Sequence, residues 1–225
     1  MRILPLLLIV ILSSGAASAQ HFDLHFNFNS GVPTGEFGER IDHGIYGFNL
    51  AVSFHPPVKV IRTVVGLNYF NYGWSNRSDQ PYPERTDIRG RLRVTNNIFF
   101  PYLGIRLDSP RNRRLAPYVE ILGGLNYMYT QSYIRSSVGT FKAISFDEMQ
   151  LGYGLGAGLR FRVIEDIGGQ GFMMSLVLNG KYLRSPEISY LREGDLIVID
   201  DVVAFNEQKS IFELIALEAG IVFQL

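Results

Sequence analysis

Between residues 151 and 163 the chain reads LGYGLGAGLRFRV, and every second residue is apolar: Leu151, Tyr153, Leu155, Ala157, Leu159, Phe161 and Val163. Between them stand Gly152, Gly154, Gly156, Gly158, Arg160 and Arg162. Successive side chains of a strand point to opposite faces, so this is one strand with an apolar face and a small or charged one. A helix would spread both chemistries around its axis, and each glycine would cost it about 1 kcal/mol.

The same alternation recurs along the chain. At 22–29, Phe22, Leu24, Phe26 and Phe28 oppose Asp23, His25, Asn27 and Asn29. Further strands are predicted at 46–54, 61–70, 91–107, 118–129, 174–182 and 215–225, which brings the number to eight. In 91–107 the alternation changes phase around Phe99-Phe100-Pro101. Pro cannot donate to a ladder, so a bulge or kink is predicted near Pro101. The connections alternate in length. Those at Pro56-Pro57, at 108–116 and around Gly168-Gly169 are short; those at 30–45, 73–90, 130–148 and 184–209 are long. Within the last, DLIVIDDVV alternates weakly and suggests an extension of the hairpin beyond the barrel.

An even strand number with alternating short and long connections predicts an eight-stranded antiparallel transmembrane β-barrel with short periplasmic turns and long extracellular loops. About 11 residues at ~3.3 Å each, tilted ~40°, rise roughly 28 Å, enough to cross the ~25 Å apolar band of such a barrel. Tyr69, Tyr127 and Tyr129 gather toward the loop side, and Phe54, Phe161 and Phe223 toward the turn side, as two interfacial girdles. Periodicity alone also allows a soluble lipocalin-like barrel with the apolar face inside. Against it, the other face is rich in glycine and short residues, and its few charges have both signs.

Composition sharpens this picture at the start of the chain. Met1-Arg2, the apolar run of ten from Ile3 to Leu12, and Ala17-Ser18-Ala19 before Gln20 have the form of a secretory signal peptide. Residues 1–19 are therefore expected to be cleaved, leaving residues 20–225 as the barrel domain. With no Cys in the chain, a lipoprotein anchor, disulfides and thiolate metal sites are excluded. Removing Arg2 leaves 20 basic against 21 acidic residues, which gives no footprint for a nucleic-acid partner.

The stretch GVPTGEF after the first strand, PYVEILGGLNY, the glycine-alternating strand and the closing EAGIVFQL together resemble the small "outer membrane protein beta-barrel domain" proteins common in Bacteroidota, a porin-like family. The resemblance spans the mature chain. It implies a barrel in the bacterial outer membrane and carries little about activity. Such chains often end in an aromatic residue read by the insertion machinery; here Leu225 is last and Phe223 lies two before it on the same face.

Candidate chemistry concentrates on the polar face. Eight strands leave a lumen just wide enough for side chains to fill. Glu120 lies near the turn end of its strand and Arg160 and Arg162 near the matching end of the next, with Arg62 in reach; higher up, Lys181 and Glu218 face inward at a similar depth, with Asp23 and His25 nearby. These eight are expected to pair across the lumen, as a packing network or as a gate. Gly152-x-Gly154-x-x-Ala157 mimics a dinucleotide fingerprint, but the alternation runs through it without a helix start. Ser53 and His55 share a face without an acid placed by spacing, and His21, His25, His43 and His55 lack metal-ligand spacing. Glu193, Asp195, Asp200 and Asp201 read as a solvated loop, and Arg111, Arg113 and Arg114 as a solvated turn or headgroup contact. The reading is an outer-membrane barrel, not an enzyme, with no cofactor and no metal. It is expected to be a monomer, in contact with outer-membrane lipid and lipopolysaccharide and handled by the barrel-insertion machinery. Its function is a structural or loop-mediated binding role. A narrow channel for ions or small solutes is the alternative, and a soluble small-molecule binder the second.

Overall fold

The computed structural model describes residues 22–41, 43–54, 60–82, 85–109, 114–137, 139–167, 172–192, 195–199 and 202–224. The N-terminal segment, His55, Pro56-Pro57, Arg111, Arg113, Gly168-Gly169, Glu193, Asp200, Asp201 and Leu225 lie outside them. The chain forms β1 (Phe22–Pro33), α1 (Gly35–Arg40), β2 (Ile45–Phe54), β3 (Ile61–Tyr82), β4 (Arg85–Asp108), β5 (Leu115–Ser136), β6 (Gly139–Ile167), β7 (Phe172–Tyr190), β8 (Leu196–Ile199), β9 (Val202–Phe205) and β10 (Gln208–Gln224). Eight of these close one antiparallel barrel, in the order β1-β10-β7-β6-β5-β4-β3-β2. The DLIVIDDVV segment forms β8 and β9, which pair with each other as a separate two-stranded sheet rather than lengthening the barrel ladders.

Between the turn end and the level of Phe28, Tyr69 and Phe99, the apolar face of each barrel strand points outward. Leu151 is 72% and Leu178 64% exposed; Phe28, Leu103, Ile121, Leu155 and Leu217 join them in one belt. A lipocalin-like barrel would turn this face inward around a ligand. Here only hydrocarbon satisfies it. The ladders also line up Phe28 with Phe48, Phe48 with Tyr69, Tyr69 with Phe99 and Phe99 with Tyr127, an aromatic row across five strands. Phe48 stacks on Tyr69, and Tyr127 on Tyr129, each at 5.2 Å.

Two expectations change. The stretches 73–90 and 130–148 are largely strand, because β3 through β6 continue as paired ladders past the aromatic row. The outer positions there are mostly polar and the buried inner ones include Thr130 and Ser132, so the apolar alternation that marks a strand fades although the hydrogen bonding persists. Nor is there a bulge at Pro101. Leu67 pairs with Pro101 and Asn68 with Phe100 in unbroken register, and Phe99–Tyr127 and Tyr102–Gly124 keep one register across the other ladder. The chemistry of the inner face changes instead. Leu92, Val94, Ile98 and Phe100 are buried inside the barrel toward the far end, whereas Arg106 and Asp108 are buried inside it toward the turn end.

The belt yields a test. Leu155→Arg should lower the stability of the bilayer-folded barrel by about 2–4 kcal/mol, with Leu155→Phe near neutral, in urea titrations followed by gel mobility. An arginine tolerated at no cost would mean that this face does not meet lipid.

Candidate functional site

The strand register decides which lumen side chains meet. Among the described residues the ion-paired charges buried inside the barrel form two groups of four. Nearest the turn end, Asp23 of β1 and Asp108 of β4 both pair with Arg62 of β3. Arg160 of β6 completes the group, 3.3 Å from Asp23 and 3.0 Å from Asp108. Gln224 donates to Asp23 at 3.3 Å, and Ser53 lies between Asp23 and His25, 3.1 Å from the His25 Nε2. The ion-pair side chains are almost completely buried.

One level inward, Arg106 of β4 donates to Glu120 of β5 through Nε at 3.0 Å and Nη2 at 2.7 Å. Lys181 of β7 lies 3.4 Å from Glu120 and 2.9 Å from Glu218 of β10. The Asn179 amide donates to both carboxylates, at 3.3 and 3.2 Å. Each group holds two carboxylates and two cations, so each is neutral. Aromatic rings complete the second: Arg106 lies 4.2 Å from the Tyr118 centroid and Lys181 4.9 Å from that of Tyr102.

The glycines of β6 make room for this packing. A Cβ on Gly156 would stand 2.8 Å from the Glu120 side chain, and one on Gly152 2.6 Å from the Phe100 ring. Opposite them the wall carries large groups, so small and large alternate around the lumen.

Above the ion pairs sits a layer of amides. Asn27 donates to Asn49 at 3.0 Å, Asn49 to Asn68 at 3.0 Å and to the Tyr102 hydroxyl at 2.9 Å, and Asn29 to Asn68 at 3.2 Å. Toward the far end the lumen turns apolar. Phe37 of α1 is wholly buried between Tyr190 at 5.2 Å and Phe212 at 5.1 Å, with Tyr72 at 6.1 Å. The helix enters the barrel through Gly35, whose φ of 57° lies in the left-handed region that favours glycine.

The residues singled out in the sequence are thus brought together, but with partners other than those expected. Glu120 stands opposite Gly156 in the ladder, which sets Arg160 four residues nearer the turn end and out of its reach. Arg106 and Lys181 take Glu120 instead. Arg162 joins neither group; it lies at the rim, 3.1 Å from the exposed Glu165. Arg62 belongs with Asp23 rather than Glu120. Lys181 meets Glu218, but at the level of Glu120 rather than above it, and Asp23 lies apart from them with Arg62 and Arg160, while His25 meets Ser53. Arg106, Asp108 and the asparagine layer were missed. The ladder sets Arg106 opposite Glu120, whereas counting outward from the expected 108–116 turn would set it opposite Tyr118, two residues short. Of the acidic loop, Asp195 is described: it accepts from the Arg192 backbone N–H at 2.9 Å and from Asn206 at 3.3 Å, and so closes its own turn.

No family model and no curated protein matches the chain. Among solved structures, a major outer membrane protein from Thermus thermophilus aligns over 92% of this chain and 100% of its own, at 13% identity and a TM-score of 0.50. Neisserial surface protein A aligns over 91% and 96%, at 10% identity and 0.42. The attachment invasion locus protein of Yersinia pestis, in complex with the heparin analogue sucrose octasulfate, aligns over 92% and 97%, at 14% identity and 0.41. The first likeness bears on fold alone: the chain has the architecture of outer-membrane barrels. With the lipid-facing belt, that puts it in a bacterial outer membrane.

The charge groups make unequal predictions for their members. Glu120→Gln leaves Arg106 and Lys181 short of an anion and should cost about 3–5 kcal/mol in urea unfolding from vesicles. Arg162→Gln, at the rim, should cost less than about 1 kcal/mol.

Proposed function

We propose that this chain is a closed outer-membrane barrel that acts as a structural and binding element, with the turn end periplasmic and the far end extracellular. The observation that carries this reading is the filling of the lumen. Two neutral ion groups, an amide layer and the Phe37 cluster follow one another along the axis. A conducting path would have to part each of them, and parting a buried ion pair leaves charge without a partner. Work done by such a barrel is done by what it presents outside.

The resemblance read in the sequence fits this picture. The GVPTGEF stretch supplies the entry to α1 and Phe37, PYVEILGGLNY supplies Tyr118 and Glu120, and EAGIVFQL supplies Glu218. The segments that suggested a Bacteroidota-type small barrel are those that close the lumen, and we assign the chain to that group as a divergent member. On this reading residues 1–19 are removed on export, the insertion machinery assembles the barrel, and it stays a monomer surrounded by lipid and lipopolysaccharide. No catalytic role is assigned. Ser53 touches both His25 and Asp23, but its hydroxyl donates to Asp23 within a filled lumen, where no substrate can reach it.

Planar-bilayer recording tests this. The purified full chain should give no stepwise current, and neither should Phe37→Ala, because the ion groups below still fill the lumen. Regular single-channel steps from the unmodified chain would replace the closed barrel with a channel.

A further inference from the structure

Past the aromatic row, β3, β4 and β5 rise as a paired wall. On its outer face Trp74 of β3 stands opposite Thr95 of β4 and is 59% exposed, an aromatic anchor suited to the membrane interface. Arg93 and Arg91 lie two and four residues beyond Thr95 on the same face, roughly 5 and 10 Å higher for ~3.3 Å per residue and ~40° tilt. That is the depth of phosphate-bearing headgroups.

The ladder sets Arg91 directly opposite Arg135 of β5, and Arg93 opposite Tyr133. The Arg93 guanidinium lies 6.0 Å from the Tyr133 ring centroid, and all three arginines are exposed. Like charges directly opposite each other destabilise an antiparallel pair. The lumen contains the same motif, since Arg62 stands opposite Arg106, but there Asp23, Asp108 and Glu120 answer it. On the outer face no carboxylate of the described residues pairs with Arg91 or Arg135; Asp147 faces outward further down, opposite Tyr129. Among the described residues, this cross-strand arginine pair at headgroup depth has no carboxylate beside it.

We propose that Arg91, Arg93 and Arg135 form a binding site for the phosphate groups of an anionic glycolipid headgroup in the outer leaflet, with Tyr133 and Trp74 flanking its sugar and acyl boundary. The guanidinium fork matches phosphate bidentately, and two forks on neighbouring strands converge on one dianion. Trp74 at the base favours a lipid over a soluble ligand, because the site continues into the apolar belt. The proposal rests on the outer-membrane reading above and gives its binding role a partner class.

The test uses the full chain folded in detergent micelles, titrated with bisphosphorylated lipopolysaccharide and with the same material after chemical dephosphorylation. The unmodified chain should bind the phosphorylated form at least about tenfold more tightly, and Arg91→Gln with Arg135→Gln should bring the two within about twofold. The ligand-free double variant should be at least as stable as the parent, because the repulsion is gone; a merely structural arginine pair would lower stability instead. Heat-modifiable gel mobility confirms folding, and Arg93→Gln, which leaves the 91–135 pair intact, serves as a second variant with a smaller loss expected. Equal affinity for both lipid forms, or no effect of the double variant, overturns the proposal. Inositol hexaphosphate bound as tightly as the lipid overturns the lipid assignment. Neither outcome touches the absence of conductance, so the closed-barrel reading stands or falls separately.

Discussion

Charge matching inside a barrel too narrow for anything but side chains is the constraint on which this structure depends. Outside, the strands meet hydrocarbon; inside, they meet only one another. A guanidinium in that space is tolerable when a carboxylate from another strand stands beside it. The lumen meets this with two neutral groups of four, drawn from β1, β3, β4 and β6 in one case and from β4, β5, β7 and β10 in the other. Such pairs add little net stability over apolar packing, but losing one partner is costly. Their effect is therefore on specificity. A one-residue slip of β5 would turn Glu120 out to lipid and bring Ile121 inward among cations, a double penalty that selects one register.

The glycines and the rings belong to the same account. Large groups such as Tyr118, Tyr102 and Phe100 take their place because the facing wall is bare at Gly158, Gly66 and Gly152. What reads along the sequence as an alternation of glycine with leucine is, in section, a thin wall with lipid on one side and another strand's side chain on the other. Both faces of 151–163 are therefore constrained: leucines hold the belt, and glycines hold the volume into which Glu120 and Lys181 meet.

The sequence made the strand number and the two faces legible because lipid outside and packing inside impose a strict period of two. Pairing partners were less legible. They depend on register, and register depends on where each turn reverses, so an error of four residues separated Glu120 from Arg160 and hid Arg106. The phase change at Phe99-Phe100-Pro101 was real in chemistry and absent in geometry. Inner positions turn from charged to apolar at that level, and a reading that assigns polarity to one face takes such a change for a bulge. The stretches 73–90 and 130–148 read as loops for a related reason: their outer positions are mostly polar and their buried inner ones include Thr130 and Ser132, so no apolar face alternates along them.

That last region is where the chain is freest. Belt residues are fixed by lipid and lumen residues by charge and volume, whereas the outer faces of the β3–β4–β5 extension answer to neither. A direct arginine pair is a poor choice for sheet stability, and solubility does not require two like charges to face each other across a ladder. The same opposition inside the barrel, Arg62 against Arg106, is met by carboxylates within reach. Outside, no carboxylate of the described residues stands beside the pair, and at headgroup depth the membrane itself is the abundant source of phosphate.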